Sequence, residues 1–228
     1  MHYDDVMARL RALANADNVA GMARYGIRPK TETLGMSVYT VSEIAKEIKR
    51  DHALALQLWD SGVHEARLLA GMIADPGQMT SAEMDRWAAT FDSWDIVDQT
   101  TSNLFDKTPY AYQKVFEWAE REEEFVKRAA YALIAALAVQ DKKAPDSAFE
   151  AFFPVIAAGA TDERNFVKKA VNWALRNIGK RDQALNGAAI ALAREMQTMP
   201  QKPARWIASD ALRELTSDKI QQRLARRK

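Results

Sequence analysis

A nine-residue stretch that recurs along the chain is the strongest constraint on how this sequence can fold. Residues 125–133, FVKRAAYAL, recur 41 positions later at 166–174 as FVKKAVNWA, and residues 168–176 have a weaker copy at 205–213. Repeats of about 40 residues in helical segments are typical of HEAT and armadillo proteins, in which helix pairs stack on one another. We therefore predict an all-α fold. It should be a HEAT-like α-solenoid, or α-α superhelix, of stacked antiparallel helix pairs with a concave basic groove.

Helix-forming residues dominate the rest of the chain, and no segment shows the alternating pattern of a β-strand. Glycine and proline breaks separate predicted helices at 38–50, 52–74, 80–91, 94–105, 109–120, 123–139, 146–158, 162–179, 182–197 and 203–216. Thr80 and Glu83 form a capping-box pattern at the start of one of them. We predict a single repeat domain over 1–228. Its N-terminal part, 1–37, should be less regular, and 217–228 should form a basic C-terminal tail.

Composition excludes several classes of protein. The chain has no cysteine, and its three histidines show no spacing typical of metal ligands, so we predict no metal site and no cofactor. No apolar run approaches the roughly 20 residues that cross a bilayer, and the N-terminus lacks the pattern of a signal peptide. We expect a cytoplasmic protein with no membrane contact. We also expect a monomer without an obligate protein partner.

Charge is unevenly distributed although the net charge is only +1. Residues 161–228 contain 15 Lys and Arg against 7 Asp and Glu, so the remainder of the chain is net acidic. Such asymmetry indicates an anionic partner. A solvated basic tail at 223–228 is the simpler explanation, but it accounts for only half of the excess.

The helix predicted over 162–179 separates two faces. An apolar stripe at helical spacing consists of Val167, Val171, Ala174 and Ile178. A second face combines an indole with cations: Lys169, Trp173, Arg176 and Lys180. Trp173 could simply be a core residue among ordinary surface lysines. Alternatively, because the apolar stripe is complete without it, the indole could stack beside a phosphate backbone.

A second segment of interest is FDSWDIVDQ at 91–99. Trp94 and Asp98 are four residues apart, so on a helix they share one face. Asp is a poor residue for a helix interior because its side chain competes for the backbone. Asp92, Asp95 and Asp98 could together compensate the helix dipole, an effect worth about 1 kcal/mol or less. The other interpretation gives Asp98 a chemical role.

Taken together, these segments resemble the AlkD family of DNA alkylation repair proteins. The resemblance rests on SWDIVD at 93–98, on FVKRAA at 125–130, on NFVKKAVNWALR at 165–176 and on the run from 54 to 67. It covers about residues 20–215, with the order and spacing of the segments intact. Two departures are Ser93, where family members often have an aromatic residue, and a weaker match in the N-terminal region.

The resemblance implies a HEAT-like alkylpurine DNA glycosylase that acts on double-stranded DNA containing alkylated bases. It should release cationic purines such as N3-methyladenine and N7-methylguanine. By position, the resemblance gives catalytic roles to Trp94, Asp98 and Trp173. It places Arg128 toward the lesion strand and implies backbone contacts for Lys168, Lys169 and Arg176. Lys180, on the same face, and Arg205, in the third repeat copy, complete the set of predicted nucleic-acid-binding residues.

The expected reaction needs few groups. An N3- or N7-alkylated purine is already cationic, so it leaves without a general acid. Asp98 can stabilise positive charge on the deoxyribose and orient water, and no lysine accompanies it as a Schiff-base nucleophile. We therefore predict a monofunctional glycosylase, a hydrolase that does not cleave the strand. Two alternatives are a nucleic-acid-binding solenoid without activity and a protein-interaction scaffold.

Overall fold

Short α-helices make up most of the chain that the computed structural model describes, which is residues 2–226. Within that range there are fifteen α-helices and no β-strand. The first seven are α1 Tyr3–Ala12, α2 Ala16–Met22, α3 Val38–Ile48, α4 His52–Asp60, α5 His64–Ile73, α6 Ser81–Ala88 and α7 Trp94–Asn103. The other eight are α8 Ala111–Ala119, α9 Glu124–Gln140, α10 Asp146–Glu150, α11 Phe153–Gly159, α12 Asn165–Ile178, α13 Gln183–Gln197, α14 Lys202–Leu215 and α15 Asp218–Ala225. The chain divides into an N-terminal unit, which ends at Ala111, and a C-terminal unit, which begins at Tyr112.

Polar residues that satisfy free backbone N–H groups mark the starts of several helices. Five such caps are Asn15, Ser37, Asp51, Thr80 and Asp182, each accepting a hydrogen bond from the backbone three residues later. The capping box predicted at Thr80 is confirmed, because the side chain of Glu83 also accepts from the Thr80 backbone N–H at 2.8 Å.

The N-terminal unit is built in two layers around α5. Helices α3, α5 and α7 pack side by side, and α4 packs against α5 from the other layer. The second layer is held by two stacked indoles, Trp59 of α4 and Trp87 of α6, whose ring centroids are 3.9 Å apart. Because large aromatic side chains bury much apolar area, this pair is a main part of the unit's core.

The C-terminal unit contains the repeat that the sequence predicts. The three copies fall on α9, α12 and α14, and α12 packs against both of the others. The predicted apolar stripe of α12 is confirmed, since Val167, Val171, Ala174 and Ile178 are all fully buried. Helix α13 packs against α14 in the second layer of this unit. The repeat thus places equivalent residues of successive copies side by side.

Two predicted helices are interrupted. The one expected at 52–74 ends at Asp60 and restarts at His64, because Gly62 adopts a positive φ of 70° that continues no helix. The one expected at 146–158 breaks at Ala151–Phe152, and Pro154 lies in the first turn of the helix that follows.

Both ends of the described chain contain helix. In the segment 1–37, helix α1 buries Val6 and Leu10. In the segment 217–228, expected as a basic tail, helix α15 buries Ile220 and Leu224, which are four residues apart. Arg227 and Lys228 of the expected tail lie outside the described residues. That the chain forms one domain stays a prediction.

Candidate nucleic-acid interface

Trp94 and Asp98 lie on the first two turns of α7. Ser93 is the N-cap, Trp94 is the first helical residue, and both Trp94 and Asp98 are partly exposed. The indole Nε1 of Trp94 donates a hydrogen bond to the backbone carbonyl of Tyr25 at 3.0 Å. This bond holds the Trp94 ring in one orientation relative to the backbone at Tyr25. The helical spacing puts Asp98 one turn further along the same face.

Two other aspartates at the start of α7 are used inside the N-terminal unit. Asp92 accepts hydrogen bonds from the guanidinium of Arg67 at 3.1 Å and from the backbone N–H of Lys30 at 2.8 Å. Asp95 is buried and accepts from His64 Nε2 at 2.8 Å and from the Ser93 hydroxyl. Helix-dipole compensation is therefore not needed to explain these two carboxylates, because each has a specific partner.

The pKa of Asp95 reflects this environment. Burial by itself would raise the pKa of Asp95, since desolvation disfavours a carboxylate. The hydrogen bonds from His64 and Ser93 outweigh burial and lower the pKa of Asp95 below its usual value. Asp95 is accordingly ionised at neutral pH. Its negative charge lies in the first turn of α7, where the helix dipole favours it.

Arg67 of α5 holds the loop that leads into α7. Its side chain is 2% exposed, and its guanidinium lies 4.7 Å from the ring centroid of Trp59. Besides Asp92, it donates to the backbone carbonyl of Thr90 at 2.6 Å. Burial lowers the pKa of Arg67, and the charge of Asp92 opposes that shift. Arg67 thus fixes both ends of the segment 90–92.

Glu65 of α5 fixes a second loop. This carboxylate is fully buried and accepts hydrogen bonds from three consecutive backbone N–H groups at 34–36, at distances of 2.7 to 3.2 Å. Gly35 in that loop has φ of 80°, and a side chain there would collide with the Asn15 carbonyl. The loop can therefore take this path only with glycine at 35.

Sequence analysis gave no functional or structural role to three residues of this network, His64, Glu65 and Arg67. One signal could have identified them: charged residues inside a helix whose other residues, such as Leu68 and Leu69, are apolar must be buried and paired. Ser93 belongs to the same network. It is 1% exposed, so the position at which relatives often have an aromatic residue faces the interior of this chain.

In the C-terminal unit, the N-terminal half of α12 presents positive charge. Lys169 is exposed, and the Lys168 ammonium lies 4.7 Å from the ring centroid of Trp206, which is itself 42% exposed. Trp173 is partly exposed, in agreement with its prediction as a residue outside the apolar stripe. Arg205 is exposed and donates to the Met199 and Pro200 carbonyls. Neutral carbonyls orient that guanidinium and leave its charge uncancelled.

The C-terminal half of α12 differs, because α14 supplies carboxylates opposite its cations. Arg176 pairs with Asp210 at 3.1 Å and also with Glu214, and Lys180 pairs with Glu214 at 3.1 Å. Burial raises the pKa of Glu214, but the hydrogen bonds from Arg176 and Lys180 outweigh it and lower that pKa. The structure therefore links Arg176 and Lys180 to α14 and neutralises much of their charge.

Arg128 lies between α9 and α12. Only 6% of the residue is exposed, and its Nη1 donates to the Phe166 carbonyl at 2.6 Å. The Phe125 and Phe166 rings of the two repeat copies lie nearby, 5.6 Å apart. Arg128 thus joins two successive copies of the repeat and leaves little surface for a ligand.

The described residues also answer two general questions about the site. Among residues 2–226, His, Asp and Glu side chains nowhere gather in a group that could hold a metal ion. Within the same range, every helix is too short or too polar to cross a membrane.

Comparison with known proteins assigns the family. The sequence model described as DNA alkylation repair enzyme matches residues 6–215, which is almost the whole chain. The chain belongs to this family. The resemblance found in the sequence is thereby confirmed, and it extends further toward the N-terminus than the residues that first indicated it.

Two individual relatives are informative. An uncharacterized protein of Listeria innocua serovar 6a, Lin0241, is 20% identical over 128 residues, which are 55% of this chain and 57% of that protein. The chain thus spans little more than half the length of this curated relative.

A solved structure matches with a TM-score of 0.76 at 20% identity and covers 94% of this chain and 95% of its own. It represents a family related to the HEAT-like repeat DNA glycosylases with affinity for branched DNA structures. The predicted HEAT-like fold is confirmed.

Proposed function

We propose that this protein is a DNA glycosylase that hydrolyses the N-glycosidic bond of cationic alkylated purines in double-stranded DNA. The substrates would be of the N3-methyladenine and N7-methylguanine type. One observation carries the proposal: Asp98 and Trp94 share a partly exposed face of α7 in a chain of the DNA alkylation repair enzyme family. The start of α7 is fixed by the buried Arg67–Asp92 ion pair and by the His64–Asp95 hydrogen bond. Catalytic groups need this kind of rigid support.

The chemistry follows from the charge of the substrate. When the bond between C1′ and the purine nitrogen breaks, the bonding electrons neutralise the cationic base, so no proton has to be supplied. Positive charge then builds on the deoxyribose. Asp98 would stabilise that charge and orient a water molecule, whose oxygen bonds to C1′ while its proton passes to the carboxylate or to solvent. The product is an abasic site in an intact strand.

The aromatic residues would act on the same charge. A tryptophan face attracts a cation by about 1–2 kcal/mol when the pair is desolvated. Trp94 suits this role because its hydrogen bond to the Tyr25 carbonyl holds the indole in place. For Trp173 the role rests on the family resemblance and on its partial exposure on α12.

The C-terminal unit would supply binding energy through phosphate contacts. Lys168, Lys169 and Arg205 are the strongest candidates, since among residues 2–226 no carboxylate forms an ion pair with them. Arg176 and Lys180 would have to exchange their α14 partners for phosphate, so we propose that their contribution is smaller. Arg128 would act mainly by holding α12 in position.

DNA binding without base release is the second candidate function. It is favoured by the structural relative with affinity for branched DNA structures, because that protein covers nearly the whole chain at a TM-score of 0.76. The basic half of α12 would serve either function. The two candidates differ in whether Asp98 does chemistry.

Incubation of the protein with duplex DNA methylated at N7 of guanine and N3 of adenine separates them. Chromatography of the released bases should show free N7-methylguanine or N3-methyladenine in proportion to enzyme. Denaturing electrophoresis should show intact strands that break only after alkali treatment. Salt-sensitive binding with no released base would favour the second function and reject the first.

A further inference from the structure

The N-terminal unit has a cavity that the proposed reaction does not use. Its volume is about 500 Å³, and it runs along the whole length of α3, bordered by Met72 near the C-terminal end of α5 and by Gln99 and Asn103 of α7. Six of its lining residues could bind a ligand: Tyr39, Lys46, Lys49, Arg50, Gln99 and Asn103. An aromatic ring, three cations and two amides are the side chains that nucleic-acid-binding surfaces combine.

Lys49 has an unusual backbone. It follows the last residue of α3 and has φ of 65° and ψ of −152°, a region of backbone conformation that is essentially confined to glycine. Among residues 2–226, no other residue except glycine has a positive φ. Glycine would take this conformation without strain, yet the sequence has lysine. Strained residues of this kind cluster at functional sites, where the surrounding structure holds them in place.

The charges around the cavity leave Lys49 available. Lys46 pairs with Glu43 at 2.5 Å, but both side chains are about two-thirds exposed, so a phosphate could replace this weak pair. Arg50 donates to the Ala74 carbonyl and lies 3.8 Å from Asp75. Within residues 2–226, no carboxylate lies in ion-pair distance of Lys49.

Tyr39 and the two amides complete the surface. Tyr39 is 86% exposed, more than any other large hydrophobic residue of the described chain. The Asn103 amide nitrogen donates to the Gln99 backbone and side-chain oxygens at 2.7 and 3.1 Å. This arrangement leaves the Gln99 amide nitrogen as a donor and the Asn103 side-chain oxygen as an acceptor, a pair that fits a base edge.

We propose that this cavity, the Tyr39 cavity, binds unpaired nucleotides of DNA. Tyr39 would stack on a base, Lys46 and Lys49 would contact phosphates, and the amides of Gln99 and Asn103 would contact the base edge. Stacking on an exposed ring requires a base whose face is free, which favours a single strand over a closed duplex.

The cavity and Asp98 lie on different sides of α7. At about 100° per residue, Gln99 is rotated by about 100° and Asn103 by about 140° around the helix axis from Asp98. A nucleotide in the cavity would therefore be a different one from the nucleotide at Asp98. The inference rests on the proposed DNA function and specifies its substrate class: duplex DNA with a single-stranded arm.

Fluorescence anisotropy with full-length protein tests the proposal. The probes are a labelled fork with one single-stranded arm and a blunt duplex of equal length. We expect wild type to prefer the fork. Tyr39→Ala should weaken fork binding on the order of tenfold, as loss of one stacked base does, and change duplex binding less than about twofold. Tyr39→Phe keeps the ring and should bind like wild type.

The variant Lys49→Gly is a second test, which separates a binding role of Lys49 from a purely structural one. Because glycine suits the backbone at 49, we expect this variant to have a higher Tm and yet weaker fork binding, by about threefold or more. Arg86→Ala, which removes an exposed cation from α6, is the matched control and should keep the fork preference.

Three results would overturn the Tyr39 cavity as a binding site. They are a wild-type protein with no preference for the fork, a Tyr39→Ala variant with normal fork binding, and a Lys49→Gly variant that is more stable but binds the fork normally. Base release from blunt methylated duplex, measured with the same variants, reports on the glycosylase function separately. It should be unchanged by Tyr39→Ala, so either proposal can fail while the other stands.

Discussion

The two units use charged side chains in opposite ways. In the N-terminal unit, the polar side chains near α7 are buried and matched with partners, as in the Arg67–Asp92 ion pair and the His64–Asp95 hydrogen bond. In the C-terminal unit, α12 carries its charges at the surface, and only its C-terminal half has carboxylates opposite. The first arrangement fixes the geometry of a few side chains, and the second offers charge to a ligand.

This contrast has an energetic consequence. Removing one partner of a buried pair leaves an uncompensated charge and costs about 3–5 kcal/mol, whereas an exposed pair is worth about 0–1 kcal/mol. Substitutions around α7 should therefore change stability, and substitutions on α12 should change binding. Each of the following variants would either sharpen that division or remove it.

The largest effect is expected for Arg67→Met. The methionine fills similar space but removes the cation that pairs with the buried Asp92 carboxylate and the donor to the Thr90 carbonyl, while Asp92 keeps its hydrogen bond from the Lys30 backbone. We expect the free energy of unfolding to fall by about 3–5 kcal/mol in denaturant titrations. Arg86→Met, which breaks the exposed pair with Asp60, is the control and should cost less than about 1 kcal/mol. Equal losses in both variants would contradict the contrast.

A smaller effect, on binding, is expected in the C-terminal unit. The double variant Lys168→Ala, Lys169→Ala should bind duplex DNA about tenfold more weakly on all sequences, with its salt dependence reduced by about two phosphate contacts. The matched double variant Arg176→Gln, Lys180→Gln removes as much charge, but from residues already paired with α14. Its salt dependence should change by less than half as much. A larger change in salt dependence for Arg176→Gln, Lys180→Gln than for the lysine double variant would show that the ion pairs between α12 and α14 break when DNA binds.

The smallest effect concerns acid stability. The pKa of Asp95 is lowered in the folded state, so its ionised form stabilises the fold above the ordinary Asp value of about 3.9. That contribution is lost as the pH falls through the lower folded-state pKa. Asp95→Asn should therefore be less stable than wild type by about 1 kcal/mol at pH 6, and the difference should shrink below about pH 4. Unfolding curves at both pH values measure it; a constant difference would contradict the assignment.

Much of the fold is predictable from the sequence, because its signals are local or periodic. The repeat locates α9, α12 and α14, the apolar stripe of α12 defines its buried face, and Thr80 marks the start of α6. The sequence is less informative where a single residue determines whether a helix continues or ends. Gly62 interrupts an apolar pattern that would otherwise continue, and the many charges at 217–228 obscure the pair Ile220 and Leu224.

The candidate site was harder to predict for a different reason. Its buried pairs join residues 25 to 31 positions apart, and the pairs of α12 with α14 join residues 34 to 38 apart. Sequence spacing alone specifies no such partner. The backbone of Lys49 leaves no mark in the sequence at all, since nothing in the residue type indicates a positive φ.

Single-turnover release of N7-methylguanine by wild type and by Asp98→Asn is the most direct test of the central claim. The asparagine is nearly isosteric but carries no charge. We expect the rate to fall on the order of 10²–10³, as when one preorganised electrostatic group is removed, while duplex affinity stays within about twofold. Asp95→Asn, one turn earlier on α7, is the matched control and should lose far less activity. An Asp98→Asn variant that releases base at the wild-type rate would contradict the account.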